Sequence, residues 1–220
     1  MTDFQNLIVK KPWGQEYLCY QNEELAIWML YIKEGHKTSF HCHPNKNTGF
    51  IVMGGDVELS FMRNQVNLSA LDKIHIFRAR FHSTQAVSSG GAFVIEIETP
   101  EDKHDLVRME DAYGRKDEAY EGSNHHFPKD DTCLWIEEPG IKQAITKVAE
   151  ASLLHINPLS KSELFGYPES VSFIVTRGGI VAGEGQRLLY PGDIVDGVSL
   201  ARLLQVFNLV DGSTFIRVQK

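Results

Sequence analysis

The sequence predicts an all-β protein built as a double-stranded β-helix, or jelly roll, in two tandem units of which the second is degenerate. Two observations carry this prediction. Short segments rich in Ile, Val, Phe, Tyr and Trp recur between residues 18 and 100, separated by turn residues at the intervals typical of all-β domains. Two of these segments have counterparts that follow in the same order after residue 170.

The strands of the first half are bounded by turn formers. The predicted strands are residues 26–33, 38–43, 49–53, 57–62, 74–77 and 92–97. Glu34-Gly35 supplies one turn, and Gly54-Gly55-Asp56 supplies a tight connection between two strands. Because closing such strands on themselves removes exposed sheet edges, a barrel or jelly roll is the expected architecture.

An almost wholly polar segment divides the chain. Residues 116–131 are rich in charged residues and turn formers, and we interpret them as a linker. The predicted domains are therefore residues 1–115 and residues 132–220.

A helix is predicted directly after the linker. Ile141, Ile145 and Val148 recur at helical spacing and indicate one amphipathic helix over residues 141–154. The chain is then expected to return to strands.

The internal repeat organises the second half. FIVMGGDV at residues 50–57 has a counterpart in FIVTRGGIV at residues 173–181, and LSALDKI at residues 68–74 has one in LYPGDIV at residues 189–195. The simplest account is two copies of one β unit, and the alternative is a chance similarity of two glycine-turn hairpins.

Composition and charge exclude several classes of function. The formal net charge of −7 repels a phosphate backbone, so no nucleic-acid partner is expected. The longest apolar stretch, residues 26–32, is far shorter than the roughly 20 residues of a membrane span, so no membrane partner is expected. Cys19, Cys42 and Cys133 form no C-x-x-C pair and are interpreted as reduced thiols. A cytoplasmic location is therefore expected.

Three histidines form a candidate metal site. His41 and His43 are two residues apart, which on a strand directs both imidazoles to one face, and His82 is the candidate third ligand from a neighbouring strand. Neutral imidazole is a good ligand for divalent Zn, Mn, Fe or Ni, and the metal would be one of these. The alternative is that inward-facing histidines hydrogen-bond to one another, to Thr48 or to water.

The spacing of these residues resembles the cupin superfamily. Gly35, His41, His43 and Gly55 stand where the first cupin motif has a glycine, two histidines and a closing glycine, and His82 fits the histidine of the second motif. With the repeat, the chain resembles a bicupin. Cupins as a group commonly dimerise through strands, so the resemblance implies a homodimer.

The sequence departs from the cupin motifs at three positions. Thr48 stands where cupins normally carry a glutamate ligand, and Phe77 and Ala79 replace the usual Pro and Gly before the second-motif histidine. The resemblance therefore implies a site of three histidines without a carboxylate ligand.

The repeat also predicts which second-half residues stand at the ligand positions. Counting by the same offsets gives Leu164, Gly166, Val171 and Leu203, none of which can bind a metal ion. The second unit is therefore predicted to have an interior filled with side chains, and the chain to have one active pocket.

Two flanking motifs resemble a narrower family, the type II phosphomannose isomerase cupins. KPWGQE at residues 11–16 is similar to the segment that opens that domain, and HDLVRMEDAYGR at residues 104–115 is similar to the segment that closes it. The resemblance covers residues 11–115. It implies a sugar or sugar phosphate as the ligand, with the substrate-binding residues Lys11, Trp13, Arg108, Tyr113 and Arg115.

Each implied substrate residue has a structural alternative. Arg108 and Arg115 lie among acidic residues that could neutralise them in local ion pairs, and Trp13 could be a packed lid over the barrel. Arginine suits an anion because its planar fork grips two phosphate oxygens.

The chemistry of an aldose–ketose isomerase requires a base. Glu96 and Glu98 are the candidate catalytic residues, and they share one face of a predicted strand. That face could line the pocket or meet solvent.

Three functions are consistent with the sequence. The first is a metal-dependent sugar-phosphate or nucleotide-sugar isomerase or epimerase of carbohydrate metabolism, serving surface polysaccharide synthesis. The second is a non-catalytic sugar-binding or regulatory cupin, favoured by Thr48 at the ligand position. The third is a metal-dependent cupin oxygenase, because three histidines can support Fe(II) chemistry with oxygen.

Overall fold

The structure is a computed structural model, and it describes residues 4–116, 118, 120, 125–140 and 145–220. Twelve strands precede residue 130 in the described part of the chain. They are β1 (Leu7–Lys11), β2 (Gly14–Gln21), β3 (Ala26–Ile32), β4 (Phe40–Cys42), β5 (Asn47–Gly54), β6 (Val57–Phe61), β7 (Gln65–Leu68), β8 (Lys73–Ile76), β9 (His82–Ala86), β10 (Ala92–Thr99), β11 (Val107–Glu110) and β12 (His126–Pro128).

The strands of the first half form two antiparallel sheets. The first has the order β12-β1-β2-β3-β10-β5-β8, and the second has the order β11-β4-β9-β6-β7. The eight strands β3 to β10 thus divide into β3-β10-β5-β8 and β4-β9-β6-β7, which is the strand order of an eight-stranded jelly roll. The predicted all-β jelly roll is confirmed.

The second half repeats this order in a shorter form. Its elements are β13 (Thr146–Val148), β14 (Ala151–Ile156), β15 (Ser172–Arg177), β16 (Ile180–Val181), β17 (Arg187–Leu189), β18 (Ile194–Asp196), α1 (Gly197–Val206), β19 (Asn208–Leu209) and β20 (Thr214–Gln219). The sheet β14-β20-β15-β18 has the order of β3-β10-β5-β8, and β17-β16-β19 is a reduced second sheet. A 3₁₀ helix, Lys161–Leu164, lies between β14 and β15, where the first half has β4.

The prediction of a helix over residues 141–154 is wrong in the part that the structure describes. Residues 146–148 and 151–156 form β13 and β14, and residues 141–144 lie outside the described residues. The physical reason is tertiary pairing. β14 forms a five-residue ladder with β20, and a turn at Ala149, whose φ is +50°, reverses the chain between β13 and β14.

The segment interpreted as a linker contains one strand. β12 pairs antiparallel with β1 and extends the first sheet at its edge. Residues 126–128 of this segment are therefore part of the first sheet.

Three apolar cores hold the molecule together. One fills the first jelly roll around Trp28 and Val52, and another fills the second half around Phe173 and Phe215. The third lies between the halves, where Ile51, Met53 and Ile95 of the first half pack with Ile174 and Ile216 of the second. Because β3, β5 and β10 are covered on both faces, their side chains alternate between the first interior and this interface.

One glycine shows how closely the halves approach. A Cβ atom at Gly49 of β5 would lie 2.8 Å from the Ile194 side chain of the second half. Glycine at this position therefore permits the contact. Ile194 also donates its backbone N–H to His75 Nε2 of the first half, over 2.9 Å.

Among the described residues, no helix combines the length and the apolar character that crossing a bilayer requires.

Candidate metal centre and pocket

Three histidines converge on the inner face of the sheet β4-β9-β6. His41 of β4 pairs directly with His82 of β9, and His43 follows one residue after β4 ends. The ring centroids are 4.5 Å apart for His41 and His82, 4.9 Å for His41 and His43, and 5.7 Å for His43 and His82. One ligand atom from each ring lies within 4.8 Å of the other two. The alternation of side chains along a strand thus brings the three residues together.

Backbone carbonyl groups fix the orientation of all three rings. The Nδ1 atoms of His41, His43 and His82 lie 2.7 Å from Ser39 O, 2.6 Å from Asp105 O and 3.0 Å from Arg80 O. A carbonyl oxygen only accepts hydrogen bonds, so each Nδ1 carries the proton. Each neutral ring therefore has its free lone pair on Nε2. A histidine that binds a metal ion through Nε2 has this same tautomer.

Burial keeps these histidines neutral. Desolvation and the Lys46 ammonium group together lower the pKa of His43 to about 2 and that of His82 to about 4. Desolvation also holds the pKa of His41 well below its usual value, with the other two histidines adding to the effect. The lone pairs are therefore available at neutral pH.

The unsatisfied atoms of the site fit a metal ion. His43 Nε2 and His82 Nε2 are buried and have no hydrogen-bond partner among the described residues. Buried polar atoms almost always have a partner, and two converging acceptors cannot satisfy each other. Three imidazole nitrogens suit divalent Zn, Mn, Fe or Ni, so the residues present match the ion that the cupin resemblance implies.

Asp105 is a positioning residue that sequence reasoning missed. Its backbone carbonyl accepts from His43, while its carboxylate accepts from the backbone N–H groups of Asn45 and Lys46, both over 2.9 Å. These bonds hold the loop after β4 and the imidazole together. Asp105 stands in a run of acidic residues, so the sequence carried no signal that separated it from its neighbours.

A pocket with a cavity volume of about 60 Å³ adjoins the histidines. His41 and His43 line it, together with both candidate catalytic residues, Glu96 and Glu98. Glu96 is 6% exposed and Glu98 is 1% exposed. The sequence left open whether these glutamates line the pocket or meet solvent, and in the structure they line the pocket.

A buried ion-pair network forms one wall of the pocket. Glu98 Oε1 accepts from Lys46 Nζ over 2.8 Å and from Lys103 Nζ over 2.9 Å. Glu16 Oε1 lies 3.4 Å from Lys11 Nζ and 3.6 Å from Lys103 Nζ. The network therefore links three lysines through two carboxylates, and charges buried at this depth require such pairing.

Two aromatic residues also contact the network. Tyr120 donates a hydrogen bond to Glu16, and Lys103 Nζ lies 3.7 Å from the centre of the Trp28 ring. Neither Lys46 nor Lys103 was predicted, because isolated lysines in a charged sequence are typical of a solvated surface.

The pKa values of Glu96 and Glu98 shift in opposite directions, although the two residues share one face of β10. Burial raises the pKa of Glu96 to about 7, against the opposing effect of Lys103. Burial also acts on Glu98, but Lys103 and Lys46 together hold the pKa of that carboxyl below its usual value. Glu96 has no ion pair with another described residue. The surroundings therefore move the pKa values of the two carboxyl groups apart, with that of Glu96 near neutrality and that of Glu98 below its usual value.

The structure brings four of the five predicted substrate residues to the pocket. Lys11, Trp13, Arg108 and Arg115 line it. Trp13 is 4% exposed and belongs to the first core, as the lid alternative expected. Tyr113 is not among the lining residues. Its ring stacks on His36 with 6.4 Å between ring centroids.

The two arginines are engaged by nearby groups. Arg115 forms a two-pronged ion pair with Asp111, with Nη2 2.7 Å from Oδ1 and Nε 3.2 Å from Oδ2. Arg108 Nη1 donates to the backbone carbonyl of Glu118 over 2.5 Å. Arg115 thus matches the local ion-pair alternative while its side chain still borders the pocket.

The corresponding positions of the second half have no metal-binding groups. Leu164 and Val171 are buried in the core of the second half, and Leu203 packs against that core. Gly166 is exposed. The described interior of the second half is therefore filled by apolar side chains at these positions.

No family model matches the sequence, and no curated relative matches it. The solved structures that match include KdgF from Halomonas sp., with 18% identity, a TM-score of 0.42, and coverage of 46% of this chain and 94% of that one. A protein with a double-stranded beta-helix domain from Klebsiella pneumoniae has 13% identity, a TM-score of 0.40, and coverage of 44% and 79%.

The capsular polysaccharide assembling protein CapF from Staphylococcus aureus also matches, with 15% identity, a TM-score of 0.42, and coverage of 47% of this chain and 34% of that one. Each of the three matches spans less than half of this chain. The fold assignment therefore stands on the strand order of the chain itself.

Proposed function

We propose that this chain is a metal-dependent isomerase or epimerase that acts on a phosphorylated or nucleotide-linked sugar in carbohydrate metabolism. One observation carries the proposal. Three imidazoles each bring one ring nitrogen within 4.8 Å of the other two beside a pocket, and that pocket also contains a carboxyl group, Glu96, whose pKa is raised to about 7.

His41, His43 and His82 would hold the metal ion, and the ion would supply Lewis-acid polarisation of the sugar carbonyl. The chain itself would supply the proton transfer. Glu96 would remove the proton from the carbon next to the carbonyl and return it to the former carbonyl carbon, while the hydroxyl proton moves between the two oxygens. A base whose pKa lies near the working pH is suited to both steps.

Glu98 would not exchange protons in this scheme. Lys46 and Lys103 fix the carboxylate of Glu98. Glu98 would therefore hold the two ammonium groups in place in the wall of the pocket. Arg108 and Lys11 would carry the anionic part of the substrate, because both cationic side chains border the pocket. Surface polysaccharide synthesis is the setting that the phosphomannose isomerase resemblance implies.

The test has two stages. Metal content is measured in protein purified without chelator, and turnover is then assayed on a panel of aldose and ketose phosphates with added Zn²⁺, Mn²⁺, Fe²⁺ or Ni²⁺. Glu96→Gln is the matched variant, with an expected loss of about 10²- to 10⁴-fold in kcat. A chain that takes up no metal and converts no substrate would remove the proposal.

A non-catalytic sugar-binding role is the second candidate, and Thr48 is the observation that favours it, because a hydroxyl at this position adds no charge to the site. A thermal-shift screen separates the two candidates. A binder would be stabilised by a sugar phosphate through mass action and would return it unchanged.

A further inference from the structure

Glu98 has one carboxylate oxygen that the ion-pair network does not use. Oε1 accepts from both Lys46 and Lys103, whereas Oε2 is buried and has no hydrogen-bond partner among the described residues. An ionised oxygen in that condition requires a cation or a hydrogen-bond donor that these contacts do not supply.

The position of Glu98 relates that oxygen to the histidines. Glu98 of β10 lies directly opposite Thr48 of β5, and both side chains face into the first jelly roll. Residues directly opposite in an antiparallel pair have Cβ atoms about 4.5–5.5 Å apart. Thr48 Oγ1, His43 Nε2 and His82 Nε2 are also buried without a partner among the described residues. The nitrogens and the carboxylate oxygen are all acceptors, so they cannot satisfy one another.

A divalent cation held by three neutral imidazoles would lack charge compensation in a buried site. The pocket carboxylates differ in their ability to provide it. Glu16 and Glu98 are each shared between two lysines, and burial raises the pKa of Glu96 to about 7. Glu98 is held ionised and still has an unused oxygen. Glu98 is not one of the three residues whose ligand atoms lie within 4.8 Å of one another, so it would act on the centre without ligating the ion.

We propose that Glu98 is the charge-compensating residue of the metal centre, acting from the neighbouring strand in the place that Thr48 leaves without a carboxylate. Lys46 and Lys103 fix Oε1 and leave Oε2 for the centre. The inference rests on the proposed metal site. It adds a positioning and affinity-determining role for Glu98 that differs from proton transfer.

The first experiment compares the metal affinities of matched variants. Zn²⁺ and Mn²⁺ are titrated calorimetrically into chelator-treated wild type, Glu98→Gln and Glu96→Gln, with circular dichroism as the control for folding. Glu98→Gln retains an oxygen for the two lysines and removes the charge. We expect it to bind about 10- to 100-fold more weakly, the usual effect of removing a residue behind metal ligands, and Glu96→Gln to change affinity by less than about threefold.

Equal affinity of Glu98→Gln and wild type would overturn the inference while leaving the metal site intact. Wild type that binds neither metal would overturn the inference and the proposed function together. These two results are distinguishable because the first requires a binding wild type.

A second variant tests the same inference without disturbing the lysines. Thr48→Glu introduces a carboxylate at the opposite position, and we expect it to raise metal affinity about tenfold or more. In the Thr48→Glu background, adding Glu98→Gln should change affinity by less than about threefold, because the two carboxylates perform one task. Unchanged or weaker binding by Thr48→Glu would contradict the proposal, even if Glu98→Gln alone failed to fold.

Discussion

The two halves of this chain share a strand order and differ in what fills their interiors. The interior of the first half contains buried histidines, glutamates, threonine hydroxyls and a tryptophan N–H group, and several of these have no partner among the described residues. The second half is filled by Phe173, Phe215, Leu200 and Leu204, each fully buried. The same β framework therefore supports either a polar pocket or an apolar core.

The difference shows where stability and chemistry are located. Apolar side chains in close packing stabilise a fold, whereas buried polar groups without partners reduce its stability. The first half retains such groups around one pocket, and the interface cluster joins it to a half that has none of the metal-binding residues at the matching positions. We infer that the second half supports the first, a division that the following substitutions test.

The largest effect is expected for Phe173→Ala in the second core. Removing a fully buried aromatic ring should lower the free energy of unfolding by about 3–5 kcal/mol. Because the interface cluster couples the halves, the tryptophan fluorescence transition should shift with the circular dichroism transition, although Trp13 and Trp28 belong to the first core.

Chemical denaturation with both probes checks this expectation. Phe93→Ala is the matched control, since Phe93 is 37% exposed and its removal should cost less than about 1.5 kcal/mol. A fluorescence midpoint that stays at the wild-type value in Phe173→Ala would mean that the halves unfold independently.

The next effect is expected for His82→Ala in the first interior. Loss of one of three ligands should weaken binding of Zn²⁺ or Mn²⁺ by about 100-fold or more, equal to about 2.7 kcal/mol. His155→Ala is the matched control, because His155 is a buried histidine of the second half that bonds Thr176 and Glu137. Calorimetric titration should give His155→Ala the wild-type affinity, and a comparable loss there would contradict a single site in the first half.

A matched pair of threonines tests the stability of the two interiors directly. Thr84 is 2% exposed and its hydroxyl has no partner among the described residues, whereas Thr176 is fully buried and its hydroxyl lies 3.0 Å from His155 Nε2 and 2.6 Å from Thr214 Oγ1. Thr176→Val should cost about 1–2 kcal/mol, because it leaves two polar groups unsatisfied.

Thr84→Val should be neutral or stabilise the metal-free protein by up to about 1 kcal/mol, since it removes a polar group that lacks a partner. Urea denaturation of both variants measures the difference. Equal costs for the two substitutions would show that the first interior is as well satisfied as the second.

The smallest effect concerns pH at the boundary between the halves. His75 Nε2 accepts from the backbone N–H of Ile194, and burial lowers the pKa of His75. Folding therefore favours the neutral ring. The associated stability is present above the ordinary histidine pKa of about 6.5 and is lost as the pH falls through the lower folded value.

His75→Gln should reduce the loss of stability on acidification below pH 6.5 by at most about 1.4 kcal/mol per pH unit. The other buried histidines act in the same direction and will keep part of the slope. His104→Gln, at an exposed histidine, is the control and should leave the slope as in wild type. An unchanged slope in His75→Gln would contradict the role of this contact.

The sequence determined the β architecture and the approach of the three histidines. Period-two alternation and turn residues predict strands from local chemistry alone, and the spacing of His41 and His43 fixes both to one face. The strand bounds moved by only a few residues, as at β4, which is predicted over residues 38–43 and observed at Phe40–Cys42. The short helix α1 also has a local signal in the sequence, since Asp196 caps it by accepting from Ser199 N–H, and Leu200 and Leu204 form its buried face.

Only the tertiary structure decided three features. These are the side of β10 on which Glu96 and Glu98 line the pocket, the strand structure within residues 146–156, and the lysine network. A strand face is inner or outer according to which sheet covers it, and β10 is covered on both sides because the second half packs on the first. Lys46 and Lys103 meet Glu98 across 52 and 5 positions of sequence. Such pairings depend on long-range strand register, which local periodicity does not contain. The physical reason is that the local sequence determines which side chains share one face of a strand, whereas packing determines whether that face contacts a core, a pocket or solvent.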